Sequence, residues 1–171
     1  AGAQKNLGPS GVTIVILSPW AVERSRAIDK KRSGGLPSML NYNLMVEKSS
    51  MFNTPNTFGI YALDSMFKWM SSQGGLIKIG ERNLQKANAL YAELDRTDFW
   101  VPFANNKSRS QMNITWNIRD KDLEALFIKE ADKADLKALK GHRSIGGIRA
   151  SLYNATSLES VNKLIDFMKD F

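Results

Sequence analysis

The sequence predicts an α/β protein in which helices cover one sheet. Residues 112–118 and 148–152 place apolar side chains at every second position, which is typical of strands with one buried face. Residues 123–131 and 158–168 instead carry apolar side chains at the spacing of an amphipathic helix. With a further short strand over residues 99–103, the C-terminal part predicts a strand–strand–helix–strand–helix layer.

The N-terminal part is predicted to be less regular. A β-branched apolar run predicts a buried strand over residues 11–17. Residues 18–55 are rich in Ser, Gly, Pro and Asn and show little periodicity, so they predict a long irregular connection. Two helices follow, over about residues 58–70 and 79–94, and a glycine pair separates them.

Capping signals indicate where two of the C-terminal helices begin. Asp120 stands where its carboxylate can cap the helix that follows the 112–118 strand. Thr156 and Glu159 have the spacing of a capping box at the start of the last helix.

Composition excludes several kinds of site. The 171 residues contain no cysteine, which excludes disulfides, thiolate metal ligands and a cysteine nucleophile. A single histidine, His142, argues against a zinc site, and we expect no metal. The sequence contains neither an apolar run near the roughly 20 residues that span a bilayer nor a secretory leader, so we expect a cytoplasmic location and no membrane contact.

The formal net charge of +7 indicates an anionic partner, which could be nucleic acid, a membrane surface or a small polyanion. The basic residues form neither a tail nor a helical stripe, because most of them are scattered beside acidic residues. The charge alone does not distinguish these partners, and for the protein as a whole we expect no nucleic acid.

Three stretches carry residues that could do chemistry. The first, AGAQKNLGPSG, places Lys5 between two glycines just before the predicted 11–17 strand. A lysine carried into a site at a strand end, with its pKa lowered by partial burial, becomes a nucleophilic amine suited to a Schiff base. From the residues alone, a solvated lysine near a chain terminus is the favoured alternative, because most lysines are exposed.

The second and third stretches suit anions. In GHRSIGGIRASLYN, the side chains of His142, Arg143 and Arg149 surround a glycine turn, and two guanidinium groups with an imidazole suit a doubly anionic ligand. In MFNTPNTF, Asn53 and Thr54 precede a proline and a helix, where they either form a turn or bind a phosphate. Surface arginines and a histidine satisfied by backbone groups remain the alternative for the longer stretch.

Taken together, three blocks resemble the C-terminal half of the phosphoserine aminotransferase family; in chain order they are AGAQKNLGPSGVTIVI, SSMFNTPNTFGIY and GHRSIGGIRASLYNA. The resemblance covers essentially the whole chain. It implies a pyridoxal-phosphate enzyme of fold type I, with residues 1–73 as the end of the large cofactor-binding domain and residues 74–171 as the C-terminal small domain.

The resemblance also implies roles for particular residues. Lys5 matches the family's Schiff-base lysine, and Gln4 matches a neighbour that contacts the cofactor, pyridoxal 5'-phosphate. Asn53 and Thr54 match the pair that reaches the cofactor phosphate of the neighbouring subunit in a homodimer.

The substrate residues follow in the same way. His142 and Arg143 match residues that hold the substrate phosphate, and Arg149 matches the arginine that binds its carboxylate. The implied reaction converts 3-phosphohydroxypyruvate and glutamate into phosphoserine and 2-oxoglutarate, a step of serine biosynthesis. Some members also act on a phosphohydroxythreonine in pyridoxine biosynthesis.

In the family, further cofactor-binding residues precede the lysine, so the chain is expected to be a fragment that cannot turn over alone. Two other readings remain open at this stage. One is an aminotransferase for a non-phosphorylated amino acid, and the other is a non-catalytic fragment that binds anions or a partner.

Overall fold

The structure is a computed structural model that describes residues 4–171; residues 1–3, which begin the first block of the resemblance, lie outside the described residues. Two compact units divide the chain between Trp69 and Met70. The helices are α1 (Pro19–Lys31), α2 (Tyr42–Glu47), α3 (Thr57–Ser72), α4 (Gly75–Leu94), α5 (Asp122–Lys133) and α6 (Leu158–Asp170). The strands are β1 (Trp100–Pro102), β2 (Asn113–Ile118), β3 (Lys140–His142) and β4 (Gly146–Ser151).

The second unit contains a four-stranded sheet in the order β1-β2-β4-β3, and every neighbouring pair is antiparallel. The register places Thr115 opposite Arg149 and Trp116 opposite Ile148. Along each strand, successive side chains point alternately to the two faces of the sheet, so every second residue faces the core. The strands predicted from alternation are therefore confirmed, whereas β3 was missed.

The core lies on one face of this sheet, under α4, α5 and α6. Trp116 and Phe127 are the largest of its fully buried side chains. The ring of Phe127 packs edge-on against Trp100 and Phe171, with centroid separations of 5.4 and 5.1 Å. The other buried core residues are Ala87, Leu90, Leu94, Ile114, Ile118, Ala131, Leu139, Ile148, Ala150, Leu152, Val161, Leu164, Ile165 and Met168.

A buried lysine joins α4 to the connection between β4 and α6. Lys86 is only 2% exposed, and its Nζ donates hydrogen bonds to the carbonyl oxygens of Leu152, Tyr153 and Thr156 at 3.2, 2.8 and 2.9 Å. Burial, with a smaller contribution from the positive charge of Arg82, lowers the pKa of Lys86. The three carbonyls replace the water that a charged ammonium would otherwise bind.

In the first unit, the prediction of a buried strand over residues 11–17 is wrong. Residues 12–18 form neither a strand nor a helix in the described part of the chain, and Ile16 is 93% exposed. A strand is stabilised only when a neighbouring backbone satisfies its N–H and C=O groups. A β-branched run therefore does not predict a strand by itself, because the run does not specify that neighbouring backbone.

The prediction of an irregular connection over residues 18–55 is also wrong, because α1 and α2 lie within it. Ser18 caps α1 by accepting a hydrogen bond from the Ala21 backbone N–H at 3.2 Å, and Pro19 occupies the first helical position. Only Ser25 of α1 is buried, so the helix has no apolar face that periodicity could reveal.

The starts of the C-terminal helices differ slightly from the predicted ones. Ser157, not Thr156, caps α6 by accepting from the Ser160 N–H at 3.1 Å, so the predicted capping box is wrong. Asp120 does accept a hydrogen bond from the Asp122 N–H at 3.1 Å, although the capping position itself is the residue between them.

Replacing the buried lysine tests how much its hydrogen bonds stabilise the second unit. We expect Lys86→Met to lower the free energy of unfolding by about 2–4 kcal/mol, because the methionine fills the space of the stem but removes one buried and two partly buried hydrogen bonds. The carbonyl of Tyr153 keeps the Thr156 N–H as a donor. Urea denaturation followed by circular dichroism measures the loss.

Lys78→Met is the matched control for this variant. Lys78 lies on the same helix, but its side chain is exposed and forms an ion pair with Glu81. Its replacement is expected to change the stability by no more than about 0.5 kcal/mol. An equal loss in both variants would contradict a special role for the buried ammonium.

Candidate functional site

Lys5 lies in a tight turn of the first unit. The Gln4 N–H donates to the Gly8 carbonyl at 2.9 Å, and Lys5 forms an isolated antiparallel bridge with Gly8. Gln4 has a φ of 62°, in the left-handed region that costs a non-glycine residue of order 1 kcal/mol or more. The turn leaves the side chain of Lys5 exposed, so its amine is accessible to a ligand.

The segment after this turn packs against the start of α3. A Cβ added to Gly59 would lie 2.6 Å from Cγ2 of Val12, and one added to Gly11 would collide with the amide of Asn56. Asn56 accepts a hydrogen bond from the Gly59 N–H at 3.0 Å, which caps the first turn of α3. Within the first unit, the structure therefore brings together the segments that contain the first two sequence motifs.

Asn53 and Thr54 lie in the coil just before α3, and both are exposed. The helix cap is Asn56, so neither of these two residues performs the capping role that sequence alone allowed them. Their side chains are accessible for binding a ligand or a second chain.

In the second unit, His142 and Arg143 lie at the tip of the β3–β4 hairpin. His142 is paired with Gly146, and the Ile145 N–H donates to the His142 carbonyl at 3.0 Å, which closes the turn. Gly146 and Gly147 both have a positive φ, of 79° and 70°. Residues with a side chain rarely adopt this conformation, so the glycine pair allows the chain to leave the turn and enter β4.

Close backbone approach holds this hairpin together. A Cβ at Gly141 would collide with the carbonyl oxygens of Gly146 and Gly147. A Cβ at Gly147 would lie 2.5 Å from Oδ1 of Asn117 on the neighbouring strand β2. The absence of side chains at these positions lets β3, β4 and β2 meet directly beside His142.

Two clefts open beside the hairpin, and His142 lines both. The smaller, of about 100 Å³, is lined by His142, Arg149 and Asn117 together with Phe103, Thr115, Trp116, Gly141, Ile145, Gly146 and Ile148. The larger, of about 420 Å³, is lined by His142 and Arg143 together with Lys121, Glu124, Ala125, Ile128, Lys140, Gly141, Gly146 and Gly147. The two arginines of the motif thus line different clefts that share the histidine.

Arg149 is available to bind an anion in the smaller cleft. It lies in the middle of β4, half-buried, and its backbone N–H donates to the Leu139 carbonyl at 2.8 Å. Its Nε is buried and has no hydrogen-bond partner among the described residues. Because Arg149 lines the cleft, its guanidinium can donate two parallel hydrogen bonds to a carboxylate there.

The larger cleft is strongly basic. Arg143, Lys121 and Lys140 line it with His142, and Glu124 is its one acidic lining residue. Such a surface favours a multiply charged anion over a single carboxylate. Sequence reasoning missed Lys121 and Lys140, since neither belongs to a motif and only the packing of α5 beside the β3–β4 hairpin brings them to the cleft.

Sequence reasoning also missed Asn117. It lies on the face of β2 opposite the core, next to Gly147 and two positions from Thr115, the partner of Arg149. The alternation of β2 placed Asn117 on the outer face, and only the register with β4 places it at the cleft.

Over residues 4–171, no group of three or more His, Cys, Asp or Glu side chains is arranged to hold a metal ion. No helix in this part of the chain has the length and apolar character required to cross a membrane.

Comparison with known proteins identifies the family. The family model described as aminotransferase class-V matches residues 1–164. The chain therefore belongs to the class-V aminotransferase family.

Individual relatives point to one member of that family. A phosphoserine aminotransferase from Desulfotalea psychrophila is 47% identical over 171 residues, which are 100% of this chain and 45% of that protein. The crystal structure of a phosphoserine aminotransferase from Bacillus circulans subsp. alkalophilus has a TM-score of 0.87 and 41% identity, over 99% of this chain and 45% of that one. The pyridoxal-phosphate-bound enzyme from Trichomonas vaginalis gives 0.73 and 36%, over 78% and 39%.

These matches confirm the predicted resemblance and the α/β fold of type I. The chain spans about half the length of the relatives it matches.

The close approach at Gly141 gives a test of how the hairpin positions the site. We expect Gly141→Ala to lower the free energy of unfolding by about 1–3 kcal/mol, because the backbone of β3 must move away from β4. It should also shift the imidazole NMR signals of His142, the only histidine.

Gly80→Ala is the control, since an added Cβ there meets nothing within 4 Å in an exposed position of α4. It should stabilise the chain by about 0.5–1 kcal/mol and leave the His142 signals in place. Unchanged signals in Gly141→Ala would show that the hairpin tolerates a side chain at its tightest point.

Proposed function

We propose that the chain is part of a pyridoxal-phosphate-dependent aminotransferase that converts 3-phosphohydroxypyruvate and glutamate into phosphoserine and 2-oxoglutarate, a step of serine biosynthesis. One observation carries the proposal: His142 joins a cleft that contains Arg149 to a basic cleft that contains Arg143. A substrate with a carboxylate at one end and a phosphate at the other matches that division of charge.

The two clefts explain how such a substrate would be bound. Arg149 in the smaller cleft binds the carboxylate, because its fork of N–H donors matches two oxygens. Arg143 and His142 bind the phosphate from the basic side, where Lys121 and Lys140 add positive charge. An amino acid without the phosphate would leave these donors unpaired, which is the physical basis of selectivity.

The residues proposed to bind the cofactor lie in the first unit. We assign residues 1–73 to the end of the large domain and residues 74–171 to the small domain. Lys5 has the accessible amine that a covalently attached aldehyde cofactor requires, and its turn is fixed by the Gln4–Gly8 hydrogen bond. Gln4 contacts the same cofactor from the position next to Lys5. These residues fit pyridoxal 5'-phosphate.

When bound, pyridoxal phosphate supplies the electron sink that stabilises negative charge on the substrate Cα. The Nζ of Lys5 would remove the Cα proton of the amino donor and, in the second half of the reaction, deliver a proton to Cα of the product amino acid. Arg149 would fix the orientation of the Cα–H bond by holding the adjacent carboxylate.

We also propose a homodimer. Several large apolar side chains of the first unit are exposed, among them Trp20, Phe58 and Tyr61 at 67%, 73% and 70%. Such a density of exposed apolar surface is typical of an interface. Asn53 and Thr54 are exposed beside α3, so they can reach the cofactor phosphate of the neighbouring subunit.

We also propose that the reaction takes place in the cytoplasm, because its substrates are charged metabolites.

The basic cleft also favours a second candidate function, the binding of anions without catalysis. Lys121 and Lys140 would serve a general polyanion site as well as a phosphate pocket. This candidate predicts binding that weakens steeply with salt and does not distinguish phosphoserine from other anions of equal charge.

Covalent labelling tests the role of Lys5. The chain is incubated with pyridoxal phosphate, reduced with borohydride and digested, and we expect the added mass on the peptide that contains Lys5. Lys5→Ala should lose most of the label, because no other lysine lies in the same turn.

Lys48→Ala is the control, since Lys48 is another exposed lysine of the first unit. It should keep the full label on Lys5. Equal labelling of many lysines, or a full label in Lys5→Ala, would contradict the assignment of the cofactor lysine.

Ligand discrimination tests the substrate. We expect Arg143→Gln to weaken phosphoserine binding about 10- to 100-fold, since it removes a charged hydrogen-bond donor worth roughly 1.5–3 kcal/mol, and to leave serine binding unchanged. Titrations followed by the His142 NMR signals measure both affinities.

Arg119→Gln, on an exposed arginine whose partner is Asp98, should leave both affinities unchanged. Equal affinity of the unaltered chain for phosphoserine and serine would favour an aminotransferase of a non-phosphorylated amino acid. If added salt weakens the binding of phosphoserine and of inorganic phosphate to the same extent, the result would favour the general anion site.

A further inference from the structure

Ser144 lies in the turn of the β3–β4 hairpin, two residues after His142, and it contacts the imidazole ring at one atom. Its Oγ is 2.7 Å from Nδ1, and its backbone N–H donates to the same nitrogen at 3.3 Å. The roles proposed for His142, Arg143 and Arg149 do not require these two contacts to Nδ1.

The backbone contact favours one protonation state of the ring. A backbone N–H can only donate, so Nδ1 must be an acceptor with a free lone pair. A neutral imidazole carries a single N–H, and the proton therefore lies on Nε2. The hydroxyl of Ser144 must then also donate to Nδ1, since no proton remains there for it to accept.

The opposite tautomer would be unfavourable in this turn. A proton on Nδ1 would face the Ser144 N–H, so two donors would point at each other. The hydroxyl reinforces the preference because, at 2.7 Å, it makes the shorter of the two contacts. The turn thus selects one tautomer through both polar atoms of a single residue.

Nε2 is then the nitrogen available to a ligand. His142 is exposed and lines both clefts, and the described residues offer no hydrogen-bond partner to Nε2. An N–H at this position donates to an oxyanion, whereas a lone pair would repel it. The state of Nδ1 therefore controls whether the ring attracts or repels a bound phosphate.

We propose that Ser144 is a positioning residue that holds His142 in the Nε2–H tautomer, so that the ring presents a donor to the substrate phosphate. The identity of the ligand rests on the function proposed above, but the tautomer does not.

The tautomer can be read directly because His142 is the only histidine of the 171-residue chain. In the ¹⁵N-labelled chain, at a pH where imidazole is neutral, long-range ¹H–¹⁵N correlation distinguishes Nδ1 from Nε2 by their couplings to the two ring protons. We expect a protonated Nε2 and an unprotonated Nδ1 in the unaltered chain.

Three variants test the cause. Ser144→Ala keeps the backbone N–H and loses the hydroxyl, so the Nδ1–H population should rise and phosphoserine should bind about three- to tenfold more weakly. Ser144→Thr restores a hydroxyl and should restore both the tautomer and the affinity. Ser108→Ala, at an exposed serine away from the clefts, should change neither.

Two results would overturn the proposal. One is a proton on Nδ1 in the unaltered chain, and the other is a tautomer that is the same in Ser144→Ala as in the unaltered chain. Failure of the proposed function is distinguishable from these. In that case the tautomer would still depend on Ser144, which supports the positioning role, while neither phosphoserine nor inorganic phosphate would bind any of the chains.

Discussion

The antiparallel pairing of β2 with β4 is the constraint on which the second unit depends. It sends Trp116 and Ile148 into the core and leaves Thr115, Asn117 and Arg149 on the opposite face. A slip of one residue would reverse both faces, burying the guanidinium and exposing the indole. Burial of the core therefore holds Arg149 in the cleft, although Arg149 itself adds nothing to that core.

The second unit could be predicted because its own helices bury one face of its sheet, so strands and helices show their periods in the sequence. The three residues of β3, Lys140–His142, show no period and are defined by pairing with β4. In the first unit, residues 11–17 and α1 are largely exposed, and apolar periodicity is informative only where a face is buried. The Ser18-Pro19 pair was the one local signal for α1.

The candidate site residues were identified through motifs, because the chemistry of Lys5 and His142 taken singly is consistent with either a functional role or an ordinary surface position. The division of Arg143 and Arg149 between two clefts could not be predicted. It depends on how closely Gly141 approaches the opposite strand, a distance that sequence spacing does not contain. The contact of Ser144 with the ring likewise depends on the shape of a turn, since residues two positions apart in a strand share a face but lie roughly 6–7 Å apart along it.

The buried ammonium of Lys86 has a consequence for the order of folding. Its three hydrogen bonds join residues that are 66, 67 and 70 positions apart in the chain, so each closes a long loop. The entropy of closing such loops must be recovered from contacts made at the same time. We therefore expect these bonds to form late, after β2 and β4 have paired, and their loss to accelerate unfolding more than it slows folding.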